Sequence, residues 1–259
     1  MWRLAANIGQ WWICQLLKWL GSGSQNQQLS IIGITALAKL DLQALGLRAL
    51  NERLQSQTHE TNQKDWEILN PRGSHAIAVG VDAQINVTVR GSTGYYCGGM
   101  NKQAHIHVEG SAGPGVAENM MSGIVTIDGD ASQYAGATGH GGTLVIKGNA
   151  ASRCGISMKG IDIVVHGNIG HMSAFMAQSG NLVVCGDAGD ALGDSIYEAL
   201  LFVRGSVKSL GADCIEKEMR LEHLDILRGL LAIGGCDAKP EEFKRYGSAR
   251  QLYNFSIDN

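Results

Sequence analysis

Ile106-His107-Val108-Glu109-Gly110 is followed by Val125-Thr126-Ile127-Asp128-Gly129, and that by Leu144-Val145-Ile146-Lys147-Gly148. Successive glycines lie 19 residues apart, and the spacing continues in both directions to give Gly91, Gly110, Gly129, Gly148, Gly167, Gly186 and Gly205. Two positions before each glycine stands a β-branched residue: Val89, Val108, Ile127, Ile146, Val165, Val184, Val203. Four positions before stands Val87, Ile106, Val125, Leu144, Ile163, Leu182 or Leu201. Two apolar side chains at alternate positions share one face of a strand. The glycine ends the strand and permits a turn that a Cβ would hinder. Strands related by a constant period stack in register, about 4.8 Å apart, so seven rungs stand about 34 Å tall. The pattern predicts a mainly β fold, a parallel β-helix of about seven 19-residue coils, with the right-handed winding usual for parallel crossovers.

Other columns agree with this. Seven positions after the glycine stand Gly98, Ala117, Gly136, Gly155, Ala174, Gly193 and Ala212, so a corner there admits only small residues. Two positions after it, Thr93, Ala112, Ala131, Ala150, Ile169, Ala188 and Val207 form a mostly small, inward column. Just before it, Arg90, Glu109, Asp128, Lys147, His166, Cys185 and Arg204 face outward, with unlike charges on adjacent rungs at Arg90/Glu109 and Asp128/Lys147.

Composition fits such a chain. Of 259 residues 35 are glycine and only 3 proline, and charged residues make up 17% while apolar ones stay at 44%. That balance disfavours both disorder and a collagen-like chain. A net charge of −3 argues against a nucleic-acid partner. No apolar run reaches the ~18 residues of a membrane span. The six cysteines are scattered without a C-x-x-C pair, as reduced thiols of a cytoplasmic protein are. Cys97 and Cys154 share a column three rungs apart, too far for a disulfide.

The segments GATGHGGTLVIKGNA (136–150), CGISMKGIDIVVHGNIGHMSAFM (154–176) and CGDAGDALGDSIYEA (185–199), with RYGSARQLYNF (245–255), resemble the GXGXG β-helix domain. That family closes the large subunit of glutamate synthase and also supplies the β-helix subunit of formylmethanofuran dehydrogenase. The resemblance covers residues 66–258 and is nearest to the stand-alone GXGXG subunit of glutamate synthase-like complexes, including N-methylglutamate synthase. It implies a structural subunit without activity of its own, and it carries over no catalytic, cofactor or metal residue. A glutamine amidotransferase-like subunit and an FMN-binding glutamate synthase-like subunit would be the partners. They would hold the amidotransferase site, the FMN and any iron–sulfur cluster. The alternatives are the β-helix role within a formylmethanofuran dehydrogenase, or a free-standing carbohydrate-active β-helix enzyme.

Three units are expected: an N-terminal helical extension and polar linker (1–65), the β-helix (66–212), and a capping helix with tail (213–259). Leu47, Leu50 and Leu54 suggest a helix over 42–55, and SQTHETNQKD (56–65) a linker. Asp213 and Glu216 have the form of a capping box, and Ile215, Met219, His223, Ile226 and Leu230 recur at helical spacing up to Gly234-Gly235. They predict an amphipathic helix over 214–233. Val145, Val164, Val183 and Phe202 form an outward apolar stripe that needs a cover, either this chain's C-terminal segments or a partner. Four of the five tryptophans fall in residues 1–24. An interfacial membrane helix, a partner-docking helix and an upstream stretch wrongly included in the reading frame are three readings of that segment.

Three residue sets stand out as candidate sites. His105-x-His107 puts two imidazoles on one side of a strand, continued by Glu109; a metal site and a surface polar pair are the two readings. Asp194 and Asp213 fall in one column on adjacent rungs, where paired carboxylates suggest glycan cleavage or calcium. Lys102, Met121, His140, Lys159, Gln178, Tyr197 and Glu216 make a ladder of long side chains, either a solvated rim or a docking strip.

Overall fold

The computed structural model describes residues 37–249. Nine parallel strands follow one another in chain order: β1 (Ala38–Asp41), β2 (Asp65–Leu69), β3 (Asn86–Val89), β4 (Lys102–Val108), β5 (Ser122–Ile127), β6 (Thr143–Ile146), β7 (Lys159–Val165), β8 (Ser179–Val184) and β9 (Leu200–Val203). From β3 to β9 the register is the sequence period, so Val87 pairs with Ile106, Ile106 with Val125, and onward to Leu182 with Leu201. The fold is a parallel β-solenoid. None of the fourteen residues in the two apolar columns is more than 1% exposed. Each such side chain contributes roughly 1.5–3 kcal/mol of burial.

The second inward column forms its own ladder of single bridges, from Thr93↔Ala112 through Ala188↔Val207. A further ladder runs one residue after the repeat glycine, where every residue is Ser, Asp or Asn. From Ser92 to Asp187 each side-chain oxygen accepts the backbone N–H one coil above: Ser111 to Ser92 Oγ at 3.1 Å, Asn149 to Asp130 Oδ1 at 2.7 Å, Asn168 to Asn149 Oδ1 at 2.9 Å, Asp187 to Asn168 Oδ1 at 2.7 Å.

The repeat glycines serve a different purpose from the one expected. Beyond Gly91 none of them has positive φ. Their need is for space, since a Cβ on Gly167 would lie 2.8 Å from Gly148 O and 2.4 Å from Asn149 Oδ1. Real Cβ atoms essentially never come that close, so any side chain there would push neighbouring coils apart. Left-handed backbone occurs further along each coil, at alternate residues. Seven such triplets run from Ala76/Ala78/Gly80 through Tyr96/Gly98/Met100 to Ala191/Gly193/Ser195. The middle member is the predicted small corner. At Gly136 (φ 67°) a Cβ would meet Ile163 Cδ1 at 2.6 Å.

Both ends are closed. At the start, α1 (Leu42–Leu45) and α2 (Leu47–Gln55) replace the single predicted helix, broken at Gly46 (φ 79°). Leu50 and Leu54 are fully buried. Asn51 donates from Nδ2 to Ala76 O (2.8 Å) and accepts at Oδ1 from Ala78 N (3.0 Å), while Gln55 Nε2 donates to Val79 O (2.7 Å). These side chains satisfy backbone groups of the first left-handed corner, which has no coil beneath it. Strand β1 meanwhile extends the sheet below β2 (Ala38↔Trp66), upstream of the predicted first coil.

The far end departs from expectation. Cys214–Lys217 is a strand, β10, and the helix α3 spans Leu221–Gly234. The proposed capping box is absent as such: Asp213 occupies the last left-handed corner (φ 64°), and Glu216 pairs with Lys244 at 3.1 Å. Helix α3 starts instead where His223 Nδ1 accepts the Arg220 N–H at 3.1 Å, and it ends at the left-handed Gly235. The tail strand β11 (Lys244–Ser248) lies antiparallel between β9 and β10, so the last coil is sealed by a reversed strand.

Helix α3 and the segment after it cover three of the four stripe residues, while Val145 is buried outside that cluster. Val164, Val183 and Phe202 are fully buried against Leu227, Leu230, Leu231 and Phe243. Gly234 O lies 2.8 Å from His166 Nε2, and a Cβ on Gly234 would fall 2.8 Å from Val164 Cγ1. The cover comes from this chain.

Candidate interaction surface

The outward column before the glycine splits into two halves. Its first half is an ion-pair ladder in which Glu67 is buried and its cationic partners are exposed. Glu67 binds Lys39 at 3.0 Å and also Arg90, which reaches on to Glu109. Asp128 binds Lys147 at 2.7 Å and His107 at 2.9 Å. The side-chain bonds from Lys39 and then Arg90 hold the Glu67 carboxyl below the usual glutamate range. The Asp128 pairs, whose members are open to solvent, add little stability individually, because solvent and salt screen them. The second half (His166, Cys185, Arg204) runs under or beside the C-terminal cover, with Arg204 3.7 Å from Glu242.

His107 is engaged with Asp128 and Glu109 with Arg90, while His105 points to solvent. Among the described residues no group of three or more His, Cys, Asp or Glu could hold a metal ion. The predicted Asp194/Asp213 pair does not share a column. The last coil is one residue short: Leu192 bridges Leu210, and Ser195 N donates to Ala212 O where the regular spacing would give Asp213. Asp213 therefore stacks in line with Ser195, and Asp194 accepts a bond from Ser195 Oγ at 2.9 Å. The same slip puts Gly211 in place of Ala212 in the small-corner column, and Ile215 in place of Glu216 in the ladder of long side chains. Burial pushes the Cys97 and Cys154 thiols up to about 12, so both are protonated core residues at neutral pH. A cleft of about 400 Å³ beside the last coil has the Lys244–Glu216 pair in its wall.

The left-handed corners build one extended outer edge. The flanking members of each triplet carry Tyr96, Tyr134, Arg153 and Met172 on one side of the corner, and Met100 and Met176 on the other. Tyr95 is 52% exposed and stacks on His75 at 4.0 Å between ring centroids. Arg153 lies over the Tyr134 ring at 5.8 Å and donates to its hydroxyl at 3.2 Å. Met100, Met121 and Met176 are each at least 40% exposed, and Ile156 and Phe175 are half-buried beside them. Lys102, His140, Lys159 and Gln178 border this edge and are exposed, with Lys102 bound to Asp82 at 3.0 Å. Burial also raises the Glu118 carboxyl above its usual range on the same corner. Tyrosine, methionine and arginine, with few charges, are the residue types enriched at protein interfaces. Sequence reasoning found the bordering ladder, Met121 included, but missed Tyr96, Tyr134, Arg153, Met172, Met100 and Met176, whose only signal was their recurrence five and nine residues after the glycine.

Among the described residues no helix is long and apolar enough to cross a membrane. The Trp-rich residues 1–24 lie outside the described residues.

A stack of coils closed at both ends, with an edge of exposed tyrosine and methionine side chains, defines a parallel β-solenoid protein. The chain is 71% identical over 221 residues to protein GlxC of Rhizobium meliloti (strain 1021), a match that spans 85% of this chain and 97% of that protein. The chain belongs to the GlxC family. No protein-family model matches it.

Proposed function

We propose that this chain is the non-catalytic GXGXG-type subunit of a glutamate synthase-like complex, and that it acts by holding partner subunits at fixed separation. The observation that carries this reading is the Tyr/Met/Arg edge on a solenoid whose ends and apolar stripe are already covered by its own chain. The GXGXG resemblance and the relation to GlxC support it. A glutamine amidotransferase-like partner would release nitrogen from an amide donor. A flavin-binding partner would add that nitrogen to a 2-oxo acid, with the FMN and any iron–sulfur cluster held in the partners. This chain contributes stiffness: each coil is hydrogen-bonded to the next across the β3–β9 ladder, the Ala112–Ala188 bridges and the Ser/Asp/Asn column.

Co-purification from the native host tests the reading. The expected result is recovery of an amidotransferase-like and a flavin-binding partner with the full chain, and their loss in Arg153→Glu/Met176→Asp with the β circular dichroism unchanged. An isolated monomer that binds neither partner would overturn it. A partner carrying molybdenum or tungsten in place of flavin would point to the formylmethanofuran dehydrogenase relationship instead.

A further inference from the structure

Cys185 directly follows β8, and its Sγ lies 3.1 Å from Sγ of Cys236. The two sulfurs come from parts of the chain 51 residues apart. Neither backbone is loosely placed. Cys185 N donates to Val165 O at 2.8 Å within the coil ladder, and its carbonyl accepts from Arg204 Nε at 2.8 Å. Cys236 follows the left-handed cap of α3, and its N–H bonds back to Leu231 O at 2.9 Å. On either side the helix end is held by the His166–Gly234 contact and by Phe202 and Phe243. We propose that Cys185 and Cys236 are a redox-closable latch, an intrachain disulfide that locks the C-terminal cover onto the solenoid when an oxidant of the hydroperoxide class is present.

From 3.1 Å the sulfurs need to approach by about 1 Å to reach the ~2.05 Å bond. Burial first, and then the neighbouring Cys236 sulfur, push the Cys185 thiol up. Cys236 is half-buried and is the sulfur that meets the oxidant. Its thiolate attacks one peroxide oxygen; the O–O bond breaks, Cys236 becomes a sulfenic acid, and hydroxide takes up the released thiol proton as water. Cys185 sulfur then attacks the sulfenic sulfur. The S–S bond forms, the S–O bond breaks, and the leaving hydroxide takes the Cys185 proton as a second water. Two electrons pass from the sulfurs to the peroxide, and two thiol protons end in water. Cys97 and Cys154 are fully buried in the coil interior and take no part.

The test treats the natively folded full chain, and Cys236→Ser beside it, with hydrogen peroxide, then blocks remaining thiols and maps the peptides by mass. The expected product in the wild type is a Cys185–Cys236 linked peptide pair, lighter by two hydrogens and restored by dithiothreitol. Hydrogen exchange across Leu221–Gly234 should slow about tenfold or more in that product, and Cys236→Ser should show neither change. Recovery of both cysteines as blocked thiols, pairing of Cys236 with a different cysteine, or a linked product with unaltered exchange would overturn the latch. Overoxidation of Cys236 to the sulfinic acid with Cys185 still a free thiol would do the same.

Discussion

Replacing Asn51 with alanine removes the two bonds by which α2 closes the open end of the solenoid. The Ala78 N–H belongs to a fully buried residue and has Asn51 Oδ1 as its partner at 3.0 Å. Leaving such a donor unpaired costs about 1–3 kcal/mol, and the lost Nδ2 bond to Ala76 O adds about 1 kcal/mol. A total near 3 kcal/mol raises the opening constant of the first coil more than a hundredfold, at about 1.4 kcal/mol per tenfold. Because a coil touches only its neighbours, the loss stays local. Native-state hydrogen exchange of the full chain, resolved by peptide, therefore shows strong deprotection over residues 76–80 and little change in β7 and β8. Gln55→Ala, which loses one more exposed bond (2.7 Å to Val79 O), costs under about 1 kcal/mol. Equal effects of the two substitutions, or deprotection spread evenly along the solenoid, would refute the capping argument.

Phe202→Ala should cost about 3–5 kcal/mol, because it empties the centre of the cluster beneath α3; urea unfolding followed by circular dichroism measures this. Gly167→Ala should destabilise by more than the loss of any one surface ion pair, since its Cβ meets backbone at 2.8 Å; a thermal melt within about two degrees of wild type would contradict the spacing argument. Glu67 has a lowered folded pKa, so its ion pairs add stability that is fully present above its unfolded value of about 4.3 and fades as pH falls through the folded value. Glu67→Gln should accordingly be less stable than wild type at pH 7, with the gap closing in acid when urea midpoints are compared across pH.

The coil period was plain in the sequence because burial on a strand face enforces alternation and stacking enforces equal length, so the columns of Val89 and Val87 align without a gap. Less legible was the reason for the glycines: a sequence shows that a Cβ is missing but not whether it would meet a turn or a neighbouring carbonyl. The misreading of 214–217 has a physical source. Ile215, Met219 and His223 recur every four residues, which satisfies a helix, yet the antiparallel partner β11 comes from thirty residues later and prevails for the first four positions. The slip before Gly211 broke the Asp194/Asp213 pairing; its trace in the sequence is Leu210-Gly211, which repeats Leu192-Gly193 after 18 residues instead of 19. The Tyr/Met/Arg edge was the least readable part. Its side chains project from left-handed corners and so escape the helix and strand periods by which exposed faces are recognised.

Because every interior coil makes the same bonds above and below, the number of coils is free to vary while the two closures stay as they are. Removing the 19 residues from Gly129 to Lys147 would join Asp128 directly to Gly148 and preserve each column. Duplicating them would lengthen the molecule by one spacing of about 4.8 Å. The solenoid is thus graduated, and a lineage could retune its height in whole steps without redesigning either end.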